Sequence, residues 1–298
     1  MKYGISGQVL GGIKSLEETV CILKKYGVMN MEIWPENIPV YEGNEVGWSI
    51  YEGRDIQKAK EILNTNDMNV TCVTMPAAFD YETTSDMNKY SEALRYAIKV
   101  AKELGAGIVN HYCYNICPGE TPDMEKFLKY VEPAVKFAER EGIVLCLENE
   151  AHDATRTPEG MLTMVKAVNS KNFKTNFDAT NYYHAGVEAF PHAYEVLKEH
   201  IGYVHIKNGC IYDPGAGHSE KSKGSPMTGS LAPNLIYYPY LAEGAVNIDG
   251  LLSRLEKDCY TGYCVLEPHT MPENAESYFS EETAYLKRRG YIKSTLGN

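Results

Sequence analysis

Residues 143–150 read IVLCLENE, an apolar run of strand length that stops on the carboxylate of Glu148. Three later stretches repeat the design: TNFDAT (175–180) stops on Asp178, YVHIKN (203–208) on His205 and YCVLEPH (263–269) on Glu267. Near-continuous apolar runs mark strands covered on both faces, as in a parallel sheet. Four such strands, each finishing on a metal-type ligand, put those groups on one rim of a parallel barrel, the face where such folds do their chemistry.

Working outward from these four, strand-like and helix-like segments alternate along the whole chain, the pattern of a parallel sheet wrapped by helices. Strands are expected at 2–6, 29–34, 69–74, 107–112, 143–148, 174–178, 202–207 and 262–267. Between them lie helix starts: Ser15 with Glu18 spells a capping box, and Thr121-Pro122 and Thr157-Pro158 each set a cap residue before a proline. Leu94, Ile98, Ala101 and Leu104 form an apolar stripe that stops at Gly105, and Phe127, Val131, Val135 and Ala138 form another that stops at Gly142. Eight strand-helix pairs predict an α/β fold, a single (β/α)8 TIM barrel over residues 1–298. Long loops at 35–54, 75–86 and above all 208–246, the insertion after strand seven, all follow strand C-termini and are expected to shape a pocket.

The composition excludes several classes of partner. A formal charge of -11 and a pI near 5.3 repel nucleic acid and acidic membrane surfaces. The start MKYGISGQVL has no basic lead or apolar leader core, and no run of membrane-spanning length follows, so a cytoplasmic, soluble protein is expected. Eight scattered cysteines without a Cys-x-x-Cys pair read as reduced core residues, Cys113 and Cys117 being the closest to a metal pair.

Side chains alternate along a strand, so Glu148 shares a face with Glu150, Asn176 with Asp178, His205 with Lys207, and Glu267 with His269. Each carboxylate alone would be an ordinary helix cap or ion-pair partner. Three converging on one axis repel each other by several kcal/mol unless protons or a cation neutralise them. A shell of Glu148, Asp178, His205 and Glu267 is mostly oxygen, which suits one divalent ion, manganese or magnesium, with cobalt or zinc as alternatives.

These residues resemble the sugar isomerase and epimerase barrels of the xylose-isomerase-like, AP-endonuclease-2 type. The likeness runs from MEIW (31–34) through LENE (147–150), TPEG (157–160), NFDATN (176–181) and VHIKN (204–208) to DGLLSRLEKDCYTGYCVLE (249–267). It implies a single-metal quartet of Glu148, Asp178, His205 and Glu267, in which Glu148 and Glu267 also exchange the proton on a substrate carbon. The expected reaction is metal-assisted proton abstraction beside the carbonyl of a carbohydrate or cyclitol: epimerisation, or isomerisation if the proton returns to the neighbouring carbon. Ketose 3-epimerases resembling this chain carry a histidine, a glutamate and an arginine where it has Asn181, Ala154 and Ile211. The resemblance therefore implies the reaction class and not that substrate.

Candidate substrate contacts are Lys207, His111, His269, Trp34, Glu150 and Asn181. Lys207 suits a hydroxyl or leaving group, or a salt bridge to Glu150; Trp34 suits stacking on a sugar face, or filling the barrel mouth. Asn181 suits a hydroxyl contact or a helix cap. A lyase of the same fold, dehydrating a keto-cyclitol or opening a 3-keto-glycoside or C-glycoside, uses the same centre with Lys207 or a histidine assisting departure. An abasic-site endonuclease needs a histidine-rich multi-zinc cluster, and a non-catalytic sugar-binding barrel needs a metal-free quartet. Neither matches the pattern. The 23 tyrosines and the YYPYL segment offer surface for a homo-oligomer or partner subunit.

Overall fold

The computed structural model describes residues 1–46, 50–75, 87–113, 116–117, 119–213, 215 and 235–292. Of the expected long loops, residues 76–86 and most of 208–246, including His218, Lys221 and Lys223, lie outside the described residues.

Eight parallel strands close into a barrel: β1 (Lys2–Ser6), β2 (Asn30–Ile33), β3 (Asn69–Thr74), β4 (Ile108–His111), β5 (Val144–Glu148), β6 (Phe173–Asp178), β7 (Ile201–Ile206) and β10 (Tyr263–Leu266). A short antiparallel pair, β8 (Cys210–Ile211) and β9 (Ile236–Tyr237), lies between the last two in sequence. Neighbours in the barrel are neighbours along the chain, and β10 closes onto β1 with Tyr263 opposite Lys2. The eight barrel strands stand where the sequence puts them, their ends shifted by no more than one residue.

Helices α1 (Leu16–Lys25), α2 (Ile56–Thr65), α3 (Met87–Leu104), α4 (Met124–Glu141) and α5 (Pro158–Val168) follow the first five strands. The short α6 (Ala179–His184) and α7 (Tyr194–Leu197) follow β6, α8 (Ile248–Lys257) follows the hairpin, and α9 (Ala275–Arg288) follows β10. The Ser15 and Glu18 capping box is formed at α1, and Thr157 caps α5 by accepting from the Gly160 N–H. The helix start expected at Thr121-Pro122 is corrected: Asp123 caps α4, its carboxylate accepting from the Lys126 N–H. A carboxylate meets the positive helix end better than a hydroxyl does, so the helix begins two residues later. Gly105 and Gly142 end α3 and α4 with φ of +76° and +71°, a region that disfavours side chains.

Two apolar clusters result. The larger lies between strands and helices; Leu16, Val20 and Leu23 of α1 belong to it, each worth about 1.5–3 kcal/mol when fully buried. The smaller, Cys72, Cys146, Tyr203 and Val265, lies inside the barrel. Two residues farther along three of its strands stand Glu148, His205 and Glu267. Strand alternation thus lays a polar layer directly on an apolar floor.

The described part of the insertion is anchored at both ends. Asn208 accepts from the N–H groups of Gly209 and Val246 and donates to the carbonyls of Leu241 and Val246. Gly244 passes so close that a Cβ there would sit 2.0 Å from the Asn208 Cγ. Glu282 of α9 accepts from the Leu241 N–H at 2.8 Å, and burial pushes its carboxyl up to about 8. Its folded-state value lies above its ordinary value of 4.5, so the native state holds the extra proton and stability falls as pH rises from about 4.5 to 8. Glu282→Gln keeps the acceptor and removes the charge. It is expected to equal wild type near pH 4 in urea unfolding and to gain on the order of 4 kcal/mol at pH 8.5; equal differences at both pH values would refute this account.

Among the described residues no helix is long and apolar enough to cross a membrane, and all eight cysteines are free thiols.

Candidate metal centre

The quartet assembles at the C-terminal mouth of the barrel. One donor atom from each of Glu148, Asp178, His205 and Glu267 lies within 4.8 Å of the others. An ion with donor bonds of about 2.1 Å has opposite ligands roughly 4.2 Å apart, so the group would need to draw in by a few tenths of an ångström to form a single coordination shell. All four residues are at most 3% exposed, so their charges have little help from water.

Each ligand is held by named neighbours. Glu148 ends β5; its Oε2 accepts from the Asn110 amide at 2.7 Å and the Asn176 amide at 3.1 Å, and its Oε1 faces His205 Nδ1 at 3.0 Å. Asp178 ends β6, where Oδ1 caps α6 by accepting from the Asn181 N–H and Oδ2 lies 2.9 Å from Lys207 Nζ. Asp178 thus caps α6 with one oxygen and turns the other toward Lys207. Asn149 clamps the same residue, accepting from its N–H at 2.8 Å and donating to its carbonyl at 2.9 Å. His205 on β7 turns Nδ1 toward Glu148 and, at 3.5 Å, Glu267 Oε1, while Nε2 lies 2.8 Å from Glu32. Glu267 directly follows β10 and extends its ladder, its N–H donating to the Ile206 carbonyl.

Fully ionised, the buried acidic groups outnumber the buried basic ones. Four buried carboxylates, Glu32, Glu148, Asp178 and Glu267, face two basic groups, His205 and Lys207. Burial raises the Glu148 carboxyl, with His205 opposing. Burial also opposes charge on Glu267, but Lys207 and His205 hold its carboxyl well below the usual range. His205 and Lys207 are each pulled down by burial, then raised well above their ordinary values by the surrounding carboxylates. A donor set of three carboxylates and one imidazole with excess negative charge fits a divalent ion, which would displace the His205 Nδ1 proton.

Other expected site residues divide in two. Lys207 is central: buried at 3% exposure, it places Nζ 2.6 Å from Glu267 Oε2 and 3.2 Å from His269 Nε2. Its ion pairs are with Asp178 and Glu267 in place of the expected one with Glu150. His269 stands 3.3 Å from Glu267 Oε2 and packs its ring on Tyr238, which the insertion delivers, at 4.5 Å between centroids. Asn181 donates to the Asn149 carbonyl at 2.9 Å and reaches Glu148 Oε1 at 3.5 Å. Glu150 is half-buried at the rim, where its charge raises the Tyr112 and Tyr238 hydroxyls as a lesser contribution beside burial.

Two of the candidate substrate contacts are buried against protein groups. His111 points out of the barrel, its Nδ1 on the Tyr90 hydroxyl at 2.7 Å and its ring on Phe173. The Tyr90 hydroxyl donates to the Tyr112 carbonyl, so it accepts from His111 Nδ1–H; burial lowers the imidazole to about 3 and keeps it neutral. Asn110, one residue earlier, takes the inward position. Trp34 is 3% exposed and donates its indole N–H to Glu32 and Ser6, which agrees with its filling the barrel mouth. Cys113 and Cys117 donate separately to Asp153 and the Asp123 carbonyl, and neither joins a ligand group among the described residues. Glu32, Asn110 and Asn149 touch the quartet and were not singled out from the sequence. Glu32 stands in the MEIW stretch, two residues before Trp34 on the same strand face.

The sequence profile of the family described as xylose isomerase-like TIM barrel matches residues 21–289. D-allulose 3-epimerase from Methylomonas sp. superposes with a TM-score of 0.70 at 17% identity, over 97% of this chain and 97% of that one. The probable 3-DHS dehydratase AsbF from Bacillus anthracis gives 0.65 at 16%, over 96% and 99%. The IOLI protein with a binding zinc atom gives 0.66 at 16%, over 97% and 96%. At these identities the likeness establishes the fold. No curated protein matches the chain by sequence.

Proposed function

The chain belongs to the xylose isomerase-like TIM barrel family, and from that premise we propose that it is a divalent-metal-dependent isomerase or epimerase that moves a proton beside the carbonyl of a carbohydrate or cyclitol. The observation that carries this reading is the buried quartet at the barrel mouth, with donor atoms within 4.8 Å and His205 Nδ1 turned into the group. Glu148, Asp178, His205 and Glu267 would hold one ion, manganese first, with magnesium, cobalt or zinc as alternatives. Such an ion supplies Lewis-acid polarisation of a carbonyl oxygen, which lowers the barrier to removing the adjacent proton.

The chain's own groups carry the proton. Glu267 Oε2 faces Lys207 and His269, both able to exchange protons with it, at 2.6 and 3.3 Å. Glu148 Oε2 accepts two amide donors and must release one before it takes a proton. Isomerisation needs a base on one face only and can run on Glu267; epimerisation also requires Glu148 on the other face. A lyase is the second reading, favoured by the Lys207 ammonium and His269 beside Glu267, where they can protonate a departing oxygen. Dehydration of a keto-cyclitol or opening of a 3-keto-glycoside fits that arrangement.

The test is metal analysis followed by NMR in D2O with free sugars, keto-glycosides and cyclitols. Solvent deuterium is expected at a carbon beside the carbonyl. An unsaturated product with loss of water or aglycone would select the lyase, and absence of exchange with every keto compound would sink both readings.

A further inference from the structure

We propose that Glu32 is a positioning residue that sets the tautomer of His205, fixing Nδ1 as the atom offered to a divalent ion, and that Trp34 and Ser6 act on the centre by locking Glu32. This rests on the metal reading above and assigns the surrounding residues their part in it.

A carboxylate accepts hydrogen bonds and donates none. With Glu32 Oε2 at 2.8 Å, His205 Nε2 must carry a hydrogen; Nδ1, facing Glu148 Oε1, carries the other proton of the metal-free ring, and it is the one a divalent ion would displace. Nδ1 points toward Glu148 Oε1 at 3.0 Å and Glu267 Oε1 at 3.5 Å, two of the three carboxylates of the cluster. Glu32 is itself immobilised. Its Oε1 accepts from Trp34 Nε1–H at 2.7 Å and from the Ser6 hydroxyl at 3.2 Å, so both oxygens are committed. Ser6, Glu32 and His205 come from β1, β2 and β7, so the lock spans the barrel interior.

Burial argues for a purpose. Glu32 is 0% exposed, and the only ion pair it makes among the described residues is with His205. Burying a carboxylate is expensive, and an apolar residue of similar size is often at least as stable in such a place. A second carboxylate behind a metal-binding imidazole both orients the ring and raises its basicity, and losing it typically weakens metal binding about 10–100-fold.

Glu32→Gln makes the inference testable because its two ends cannot both be satisfied. Trp34 and Ser6 demand an acceptor, so the amide nitrogen must face His205. There it donates to Nε2 and drives the hydrogen onto Nδ1, the wrong tautomer. In Mn(II) titrations of the chelator-stripped, full-length protein, followed by the EPR signal of free Mn(II), the dissociation constant of this variant is expected to rise about 10–100-fold. Trp34→Phe, which keeps the ring and loses the N–H, should weaken binding by a smaller factor. In the Zn(II)-loaded wild type, histidine 15N NMR should show His205 ligated through Nδ1 with its hydrogen on Nε2.

A folded Glu32→Gln protein binding Mn(II) within twofold of wild type would overturn the proposal while leaving the metal centre standing. Zinc ligation through Nε2 in the wild type would overturn it too, and this reading needs no variant to fold. A wild type that binds neither ion removes the metal reading, and the proposal with it.

Discussion

Glu267→Gln is expected to lower solvent exchange at the substrate carbon by about 10²–10⁴, the usual worth of a positioned general base, while the protein still takes up metal. The two effects separate because the two oxygens of Glu267 face different neighbours. Oε1 looks toward His205 Nδ1 at 3.5 Å, on the ligand side, and Oε2 looks toward Lys207 at 2.6 Å and His269 at 3.3 Å. An amide retains one oxygen for these contacts but has no basic site near neutral pH. Lys207 keeps the carboxylate of the wild type ionised, so the variant removes a base that is ready to accept a proton. Metal content by atomic absorption and deuterium incorporation by NMR, both at saturating Mn(II), separate loss of the base from loss of the ion. Wild-type exchange in the metal-loaded variant would remove Glu267 from the proton step.

Why the quartet was legible and its supports were not follows from how strands carry information. Glu148, Asp178, His205 and Glu267 stand at the ends of apolar runs, and a charged residue that stops a buried strand is conspicuous without any partner being known. Parity along the strand then brought Lys207 and His269 to the same mouth. His111 shows the limit of that argument. It ends its strand as the ligands do, but β4 enters the barrel in a register that turns Asn110 inward and His111 toward Tyr90 and Phe173. Register between strands is a property of pairing and cannot be counted within one segment. Glu32 was hidden for a related reason: its role depends on β7 bringing His205 across the barrel, 173 positions away in sequence. Asn149 looks like any polar residue after a strand, and only its paired bonds to the Asp178 backbone reveal a clamp. The start of α4 was misplaced by two residues because Thr121-Pro122 and Asp123 are competing cap signals three positions wide, and the carboxylate won.

Lys207→Met is expected to destabilise the metal-free protein by about 3–5 kcal/mol, the usual consequence of removing one member of a buried ion pair. Its ammonium lies 2.9 Å from Asp178 Oδ2 and 2.6 Å from Glu267 Oε2, and no other lysine or arginine pairs with either carboxylate among the described residues. Methionine fills the volume and leaves two buried negative charges with His205 as their remaining counter-charge. Adding Mn(II) should recover part of the loss, because a bound divalent ion neutralises the same carboxylates. The pH dependence has a definite sign. Lys207 is held above its ordinary 10.5, so its contribution is complete below that pH and disappears only as pH rises through the higher folded-state value. Glu267 is held well below 4.5, so its share is complete above about pH 4.5 and is lost as pH falls through the lower folded-state value. The gap between variant and wild type should therefore be flat from pH 6 to 9, and should narrow in acid as Glu267 takes up a proton and releases Lys207. Urea unfolding of both proteins across that range, with and without Mn(II), measures each part. A gap under about 1 kcal/mol in the metal-free protein, or one that Mn(II) does not change, would mean that Lys207 is not the counter-ion of a metal-binding carboxylate pair.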